Sequence, residues 1–148
     1  MGSLSLPGSG PLYADTQVFV YSVEKHPIYA PLLRPLWAAL AGGTLEVVSS
    51  ELTLLEALVG PLKKGDPALV ADYESAFVAP GVRLLSITPA ILREGARLRA
   101  TLSKLRTPDA IHAATASSVS CTLVLTNDHA FRSVPHLPVL ILDDLLGP

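Results

Sequence analysis

Short apolar runs alternate along the chain with longer stretches whose apolar residues recur at helical spacing. The first, "PLYADTQVFVYSV" (11–23), is rich in β-branched and aromatic residues and predicts a strand, at least at its start. Periodicity alone leaves open whether Val18–Val23 continues that strand or begins a helix. "HPIYAPLLRPLWAALAGG" (26–43) carries Pro27, Pro31 and Pro35, then a helical apolar run stopped by Gly42-Gly43. "TLEVVSS" (44–50) reads as the second strand. "SELTLLEALVG" (50–60) reads as a helix capped by Ser50 and ended by Gly60-Pro61.

Further on, Asp66-Pro67 opens a helix to about Phe77, with proline at the first helical position. "GVRLLSI" (81–87) is the third strand. Thr88-Pro89 caps a helix to about residue 100, and Thr107-Pro108 caps another to about Ser118. "TLVLT" (122–126) and "LPVLIL" (137–142) are the fourth and fifth strands. Short apolar strands alternating with helices predict a three-layer α/β/α domain around a mainly parallel five-stranded sheet. No repeat or linker divides the chain. The expectation is a flexible leader over 1–10, "MGSLSLPGSG", and one domain over 11–148.

Composition adds one inference. Hydrophobic residues make up 49% of the 148 and charged ones 16%, with a mean hydropathy of +0.44, so disorder is excluded and apolar surface is in surplus. Every apolar run is broken well short of the ~18 residues a membrane span needs, and the start lacks the pattern of a secretory signal. The surplus therefore suggests an oligomer or an obligate partner. The single cysteine, Cys121, excludes an internal disulfide framework and a thiolate zinc site, and agrees with a cytoplasmic location. A net charge of −2 gives no global attraction to nucleic acid, so such a substrate would need local basic patches or a metal.

Four acids change the picture. Ligands of an open parallel sheet bind outside the carboxyl ends of its strands. Asp15 ends or nearly ends the first strand, and Asp128, in "LTNDHAF" (125–131), directly follows the fourth. Glu56 lies about two turns into the helix after the second strand, where an unpaired buried carboxylate is costly. Asp109 stands in the first turn of the helix leading into the fourth strand, and shares that edge if residues 100–107 climb back across the sheet. Each has an ordinary structural reading as well: Asp109 as a helix-dipole partner, Asp128 as a turn residue, Asp15 as a strand end. Four carboxylates at close range stay ionised only if a cation neutralises them. Hard oxygen ligands select Mg²⁺ or Mn²⁺, and such an ion activates water and stabilises charge on a phosphate. That chemistry is phosphodiester hydrolysis.

"LYADTQVFVY", "SSELTLLEAL", "RTPDAIHAATA" and "LTNDHAF", in this order, resemble the PIN-domain ribonucleases, above all the VapC-type toxins of toxin–antitoxin pairs. The resemblance covers roughly residues 11–143, and "PDAIHAATA" and "LTND" are its most specific parts. It implies a metal-dependent endoribonuclease that cuts RNA, commonly as a homodimer, and is inhibited by a small antitoxin protein. It implies Asp15, Glu56, Asp109 and Asp128 as the catalytic metal ligands, for Mg²⁺ or Mn²⁺. Thr16 would bond near the first acid and Thr126 near the last. After the first Asp-Thr the family commonly has Asn, where this chain has Gln17.

Among the other polar residues, His112 follows Asp109 by three positions and shares its helix side. It could touch substrate or a metal-bound water, or be a satisfied structural histidine. Arg106, Lys104, Arg132 and Lys63-Lys64 are candidate phosphate contacts. A response-regulator receiver would need an acidic pair near the first strand and a lysine after the fifth. A haloacid-dehalogenase-type phosphatase would need Asp-x-Asp where the chain has Asp15-Thr16-Gln17. Two alternatives stand: a PIN fold without catalysis that binds RNA or protein, and an RNA-processing nuclease with no antitoxin.

Overall fold

Leu12–Ala14 form the first strand, β1, and all three side chains are fully buried, as a strand covered on both faces requires. The computed structural model describes residues 2–147, so Met1 and Pro148, the outer ends of the expected leader and domain, lie outside the described residues. The question left open over Val18–Val23 resolves to helix. Thr16–Val23 is α1, opened by Asp15, whose carboxylate accepts the Thr16 N–H. Burial of Val18 and Phe19 against the core outweighs the strand propensity of their β-branched and aromatic neighbours.

Three expected helix boundaries need correction. Of the three prolines only Pro27 precedes the second helix: α2 spans Tyr29–Ala41 and contains Pro31 and Pro35. Pro31 sits in the first turn, where an N–H has no intrahelical partner, and Pro35 removes only one bond. Nor does Gly60-Pro61 end the next helix. α3 runs Leu52–Lys64 with Pro61 buried inside it, and stops at Gly65, which takes φ 63°. Ser50 contributes at its start, accepting the Leu52 N–H through Oγ.

α4 (Pro67–Phe77) is capped by Asp66 and α5 (Pro89–Thr101) by Thr88, each accepting the backbone N–H three residues on. Thr107 does not cap the sixth helix. It is the first residue of α6 (Thr107–Ser118); Arg106 holds the cap position and its N–H donates to Asp109, 3.3 Å away.

The other strands are β2 (Val47–Ser50), β3 (Val82–Leu85), β4 (Leu123–Thr126) and β5 (Val139–Ile141). The sheet is wholly parallel, in the order β3-β2-β1-β4-β5. Leu12 and Ala14 pack with α1–α4 on one face, whereas Tyr13, Val48 and Val124 face the α6 side with Ala116 and Cys121. A third cluster, Leu105, Ala110, Ala113, Phe131 and Val134, joins α6 to the segment after β4. Leu4, in the irregular segment before β1, is buried in the main core, and the Gly2 N–H donates to the Leu145 carbonyl at 2.6 Å.

Chain direction across the sheet reverses between β1 and β4: β2 and β3 add on one side, β4 and β5 on the other. A crevice forms at that switch point, above the carboxyl ends of both strands. Asp15 and Asp128 flank it.

Candidate active-site cleft

Asp15 leaves β1 directly above the sheet and is only 7% exposed. Its Oδ1 accepts the Thr16 N–H at 2.7 Å, and its Oδ2 accepts the Thr126 hydroxyl, also at 2.7 Å. Thr126 ends β4, and its Oγ1 in turn accepts the Asp128 N–H at 3.0 Å. One hydroxyl thus ties the first acid to the last. Asp128 itself accepts the Ala130 N–H at 2.9 Å, opening the 3₁₀ turn His129–Ser133.

Glu56 reaches the same place from α3. Its Oε1 accepts the Thr16 hydroxyl at 2.8 Å and lies 2.6 Å from His112 Nε2. Behind Thr16 a file of buried hydroxyls continues, Thr16 to Thr53 at 3.1 Å and Thr53 to Ser49 at 2.9 Å, with Ser49 donating to the Ala14 carbonyl at 2.6 Å. Asp109 arrives from the first turn of α6. Contrary to expectation, residues 102–106 do not climb across the sheet but form a tight connection in which Arg99, at the end of α5, donates to the Leu105 carbonyl and the Thr107 hydroxyl. Its Oδ2 lies 3.5 Å from Arg106 Nε, whose side chain remains largely in solvent.

All four acids line one open cleft of about 790 Å³, with Thr16, Gln17, Tyr21, Arg106, His112 and Asn127. Burial pushes the Asp15 carboxyl up from its ordinary value, against the opposing effects of His112 and the Thr126 hydroxyl. Burial, then the neighbouring Asp128 carboxylate, push Asp109 up as well. Partial burial acts in the same sense on Glu56, but the hydrogen bonds from His112 and Thr16 prevail and hold it below the usual range. The acids therefore form two groups: Asp15 and Glu56 about His112, and Asp109 beside Asp128. Among the described residues, no three His, Cys, Asp or Glu side chains stand close enough to make a ready metal site. A cation drawing the groups together would suit the hard carboxylate donors and relieve their mutual repulsion.

His112 is almost wholly buried, 3.6 Å from Asp15 Oδ1 as well as beside Glu56. Sequence reasoning missed Tyr13, whose hydroxyl lies 2.6 Å from His112 Nδ1. It also missed Asn127, which bonds Tyr21 and Asp143 from the floor of the loop after β4. The available signals were the alternation in β1, which turns Tyr13 to the α6 face, and the "LTND" loop itself. Of the other candidate cations, Lys63 and Lys64 end α3 away from the acids, and Arg132 pairs with Asp144. Neither these nor Lys104 is among the residues lining the cleft.

A parallel five-stranded sheet with acids gathered at its switch point defines a class of α/β domains with an acidic cleft, and sequence comparison narrows it. The PIN-domain profile matches residues 12–137, and the chain belongs to that family. Among curated proteins, none matches in sequence. Among solved structures, the chain is similar to VapBC2 from Rickettsia felis bound to a DNA fragment from their promoter (TM-score 0.69, 18% identity, covering 88% of this chain and 97% of that one). It is similar also to DNA-bound VapBC from Salmonella typhimurium (0.68, 17%, 89% and 98%). VapBC-5 from Mycobacterium tuberculosis, of a family of toxin–antitoxin systems, gives 0.56 and 24% identity, covering 91% and 98%. These likenesses establish the fold.

Proposed function

We propose that this chain is a metal-dependent endoribonuclease of the VapC type, the toxin of a toxin–antitoxin pair, acting in the cytoplasm. The observation that carries the reading is the cleft: Asp15, Glu56, Asp109 and Asp128 come from four separate elements and face one open space. Two of them are held above their ordinary pKa, a pattern common at functional sites.

In this reading the four acids hold one or two Mg²⁺ or Mn²⁺ ions. When bound, such an ion lowers the pKa of water and neutralises charge building on the phosphate. The protein's share is placement. Thr126 and the Thr16 N–H fix both oxygens of Asp15, and Thr16 and His112 fix Glu56, so neither carboxylate swings when substrate enters. Arg106, at the rim with its guanidinium largely free, is placed to grip a phosphate of RNA. Gln17 lines the cleft and remains available to substrate.

An antitoxin partner is supported by the toxin–antitoxin complexes among the similar structures and by Leu55, Val59 and Leu62, which stay exposed on α3 beside the cleft. Ile28, Val78 and Leu92 are exposed elsewhere, and a homodimer would cover part of this surface.

The test is incubation of the purified chain, and of Asp15→Asn beside it, with a mixed RNA substrate plus Mg²⁺, Mn²⁺ or EDTA. Metal-dependent cleavage that disappears in Asp15→Asn is expected. Absence of cleavage by a folded chain that still binds RNA or a partner would favour a PIN fold without catalysis.

A further inference from the structure

His112 and Tyr13 raise a question that the acids do not answer. Both are almost wholly buried, and they stand on different elements. Yet they are joined end to end: Tyr13 Oη to His112 Nδ1 at 2.6 Å, then His112 Nε2 to Glu56 Oε1 at 2.6 Å. The rings meet edge to face, 5.9 Å between centroids, so the contact is packed and directional.

The direction of these bonds follows from the inventory of protons. A phenol has one proton to donate; the Ser49 hydroxyl and the Ser50 N–H approach the Tyr13 oxygen as donors, which leaves His112 Nδ1, 2.6 Å away, as the acceptor of that proton. If Nδ1 accepts that proton, a neutral imidazole must carry its own on Nε2, the nitrogen that faces the Glu56 carboxylate. The opposite tautomer would set a bare nitrogen 2.6 Å from a carboxylate oxygen, two acceptors in contact.

We propose that Tyr13 and His112 are positioning residues for Glu56: the phenol fixes the imidazole as the Nε2–H tautomer, which with Thr16 ties down Oε1 and leaves Oε2 free for a divalent cation. Among the described residues Oε2 accepts no hydrogen bond. Both donors approach one oxygen, from α1 and α6, and so fix the rotation of the carboxylate as well as its position. Side chains that orient a metal-binding carboxylate in this way commonly alter metal affinity by about 10–100-fold when removed. The proposal rests on the metal reading of the acids, and its test separates the two.

Two measurements suffice. Nitrogen NMR of the imidazole in the unaltered chain reads the tautomer directly, with no substitution and no metal. Titration calorimetry with Mn²⁺ then compares the unaltered chain with His112→Leu, His112→Gln and Tyr13→Phe, each checked for folding by circular dichroism. We expect Nε2–H in the unaltered chain and a mixture of tautomers in Tyr13→Phe. Mn²⁺ affinity should fall about 10–100-fold in His112→Leu and return in large part in His112→Gln, whose amide can donate to the same oxygen. An Nδ1–H imidazole in the unaltered chain, or unchanged Mn²⁺ affinity in folded His112→Leu, would overturn the proposal. If the unaltered chain binds no Mn²⁺, the metal reading falls, while the tautomer spectrum still decides what Tyr13 does. Should His112→Leu fail to fold, the spectrum and Tyr13→Phe carry the test.

Discussion

Asp109 shows how a single side chain can oppose the fold that holds it. Burial and the nearby Asp128 raise its pKa, so the folded state binds the proton more tightly than the unfolded one. Its contribution to stability is therefore present at acid pH and lost as pH rises from the ordinary carboxylate value through the raised one. Asp15 carries the same sign through burial. Glu56 carries the opposite sign: its contribution is present above the ordinary carboxylate range and is lost as pH falls through the lowered value. In EDTA at neutral pH, Asp109→Asn should raise Tm by about 2–4 °C, the shift that about 1 kcal/mol produces in a chain of this size. Repeating the melt below the carboxylate range should erase the difference. With Mn²⁺ added, the order should reverse, because the unaltered chain gains binding energy that the variant has lost.

At the scale of elements, the cleft depends on turns that end strands at one level. Asp15 and Asp128 each open a helical turn immediately after a strand, and Thr126 links the two. Phe131 anchors the second of these turns, fully buried among Leu105, Ala110 and Ala113, and its N–H donates to the Asp128 carbonyl at 3.3 Å. Phe131→Ala should cost about 3–5 kcal/mol by loss of burial and an unfilled cavity, measured by denaturant unfolding. Amide exchange should quicken first at residues 128–134, because this cluster packs them against α6. A comparable restraint acts at the entry to β3, where Gly81 takes φ 86° and a Cβ would lie 2.7 Å from Leu40 Cδ1.

Over the whole molecule, the surplus of apolar residues is divided between the three clusters and an unburied remainder. Leu55 and Leu62 are 67% and 64% exposed on α3, adjoining the acidic cleft. Leu55→Lys with Leu62→Lys should leave the free energy of unfolding within about 0.5 kcal/mol of its starting value, as surface changes generally do. It should at the same time weaken association with a second copy or an antitoxin, read by light scattering and by co-purification. Retained cleavage of RNA would show that the face serves binding and not chemistry. No helix among the described residues is long and apolar enough to cross a membrane.

The sequence by itself determined the alternation of strands and helices, because periodicity and capping residues are local signals; Asp66, Thr88 and Gly42-Gly43 stand where those signals put them. It also marked the four acids, since a carboxylate within an apolar run such as "LTLLEALV" has a cost that a reader can see. Only the tertiary structure decided the rest. Helix at Thr16–Val23 and through Pro61 was settled by burial against distant residues, which overrides propensity within a short window. The pairing of Tyr13 with His112 joins residues separated by 99 positions, and the division of the acids into two groups depends on which strand ends meet at the switch point. Such contacts are properties of strand order, and strand order is fixed by long-range packing, not by any local spacing.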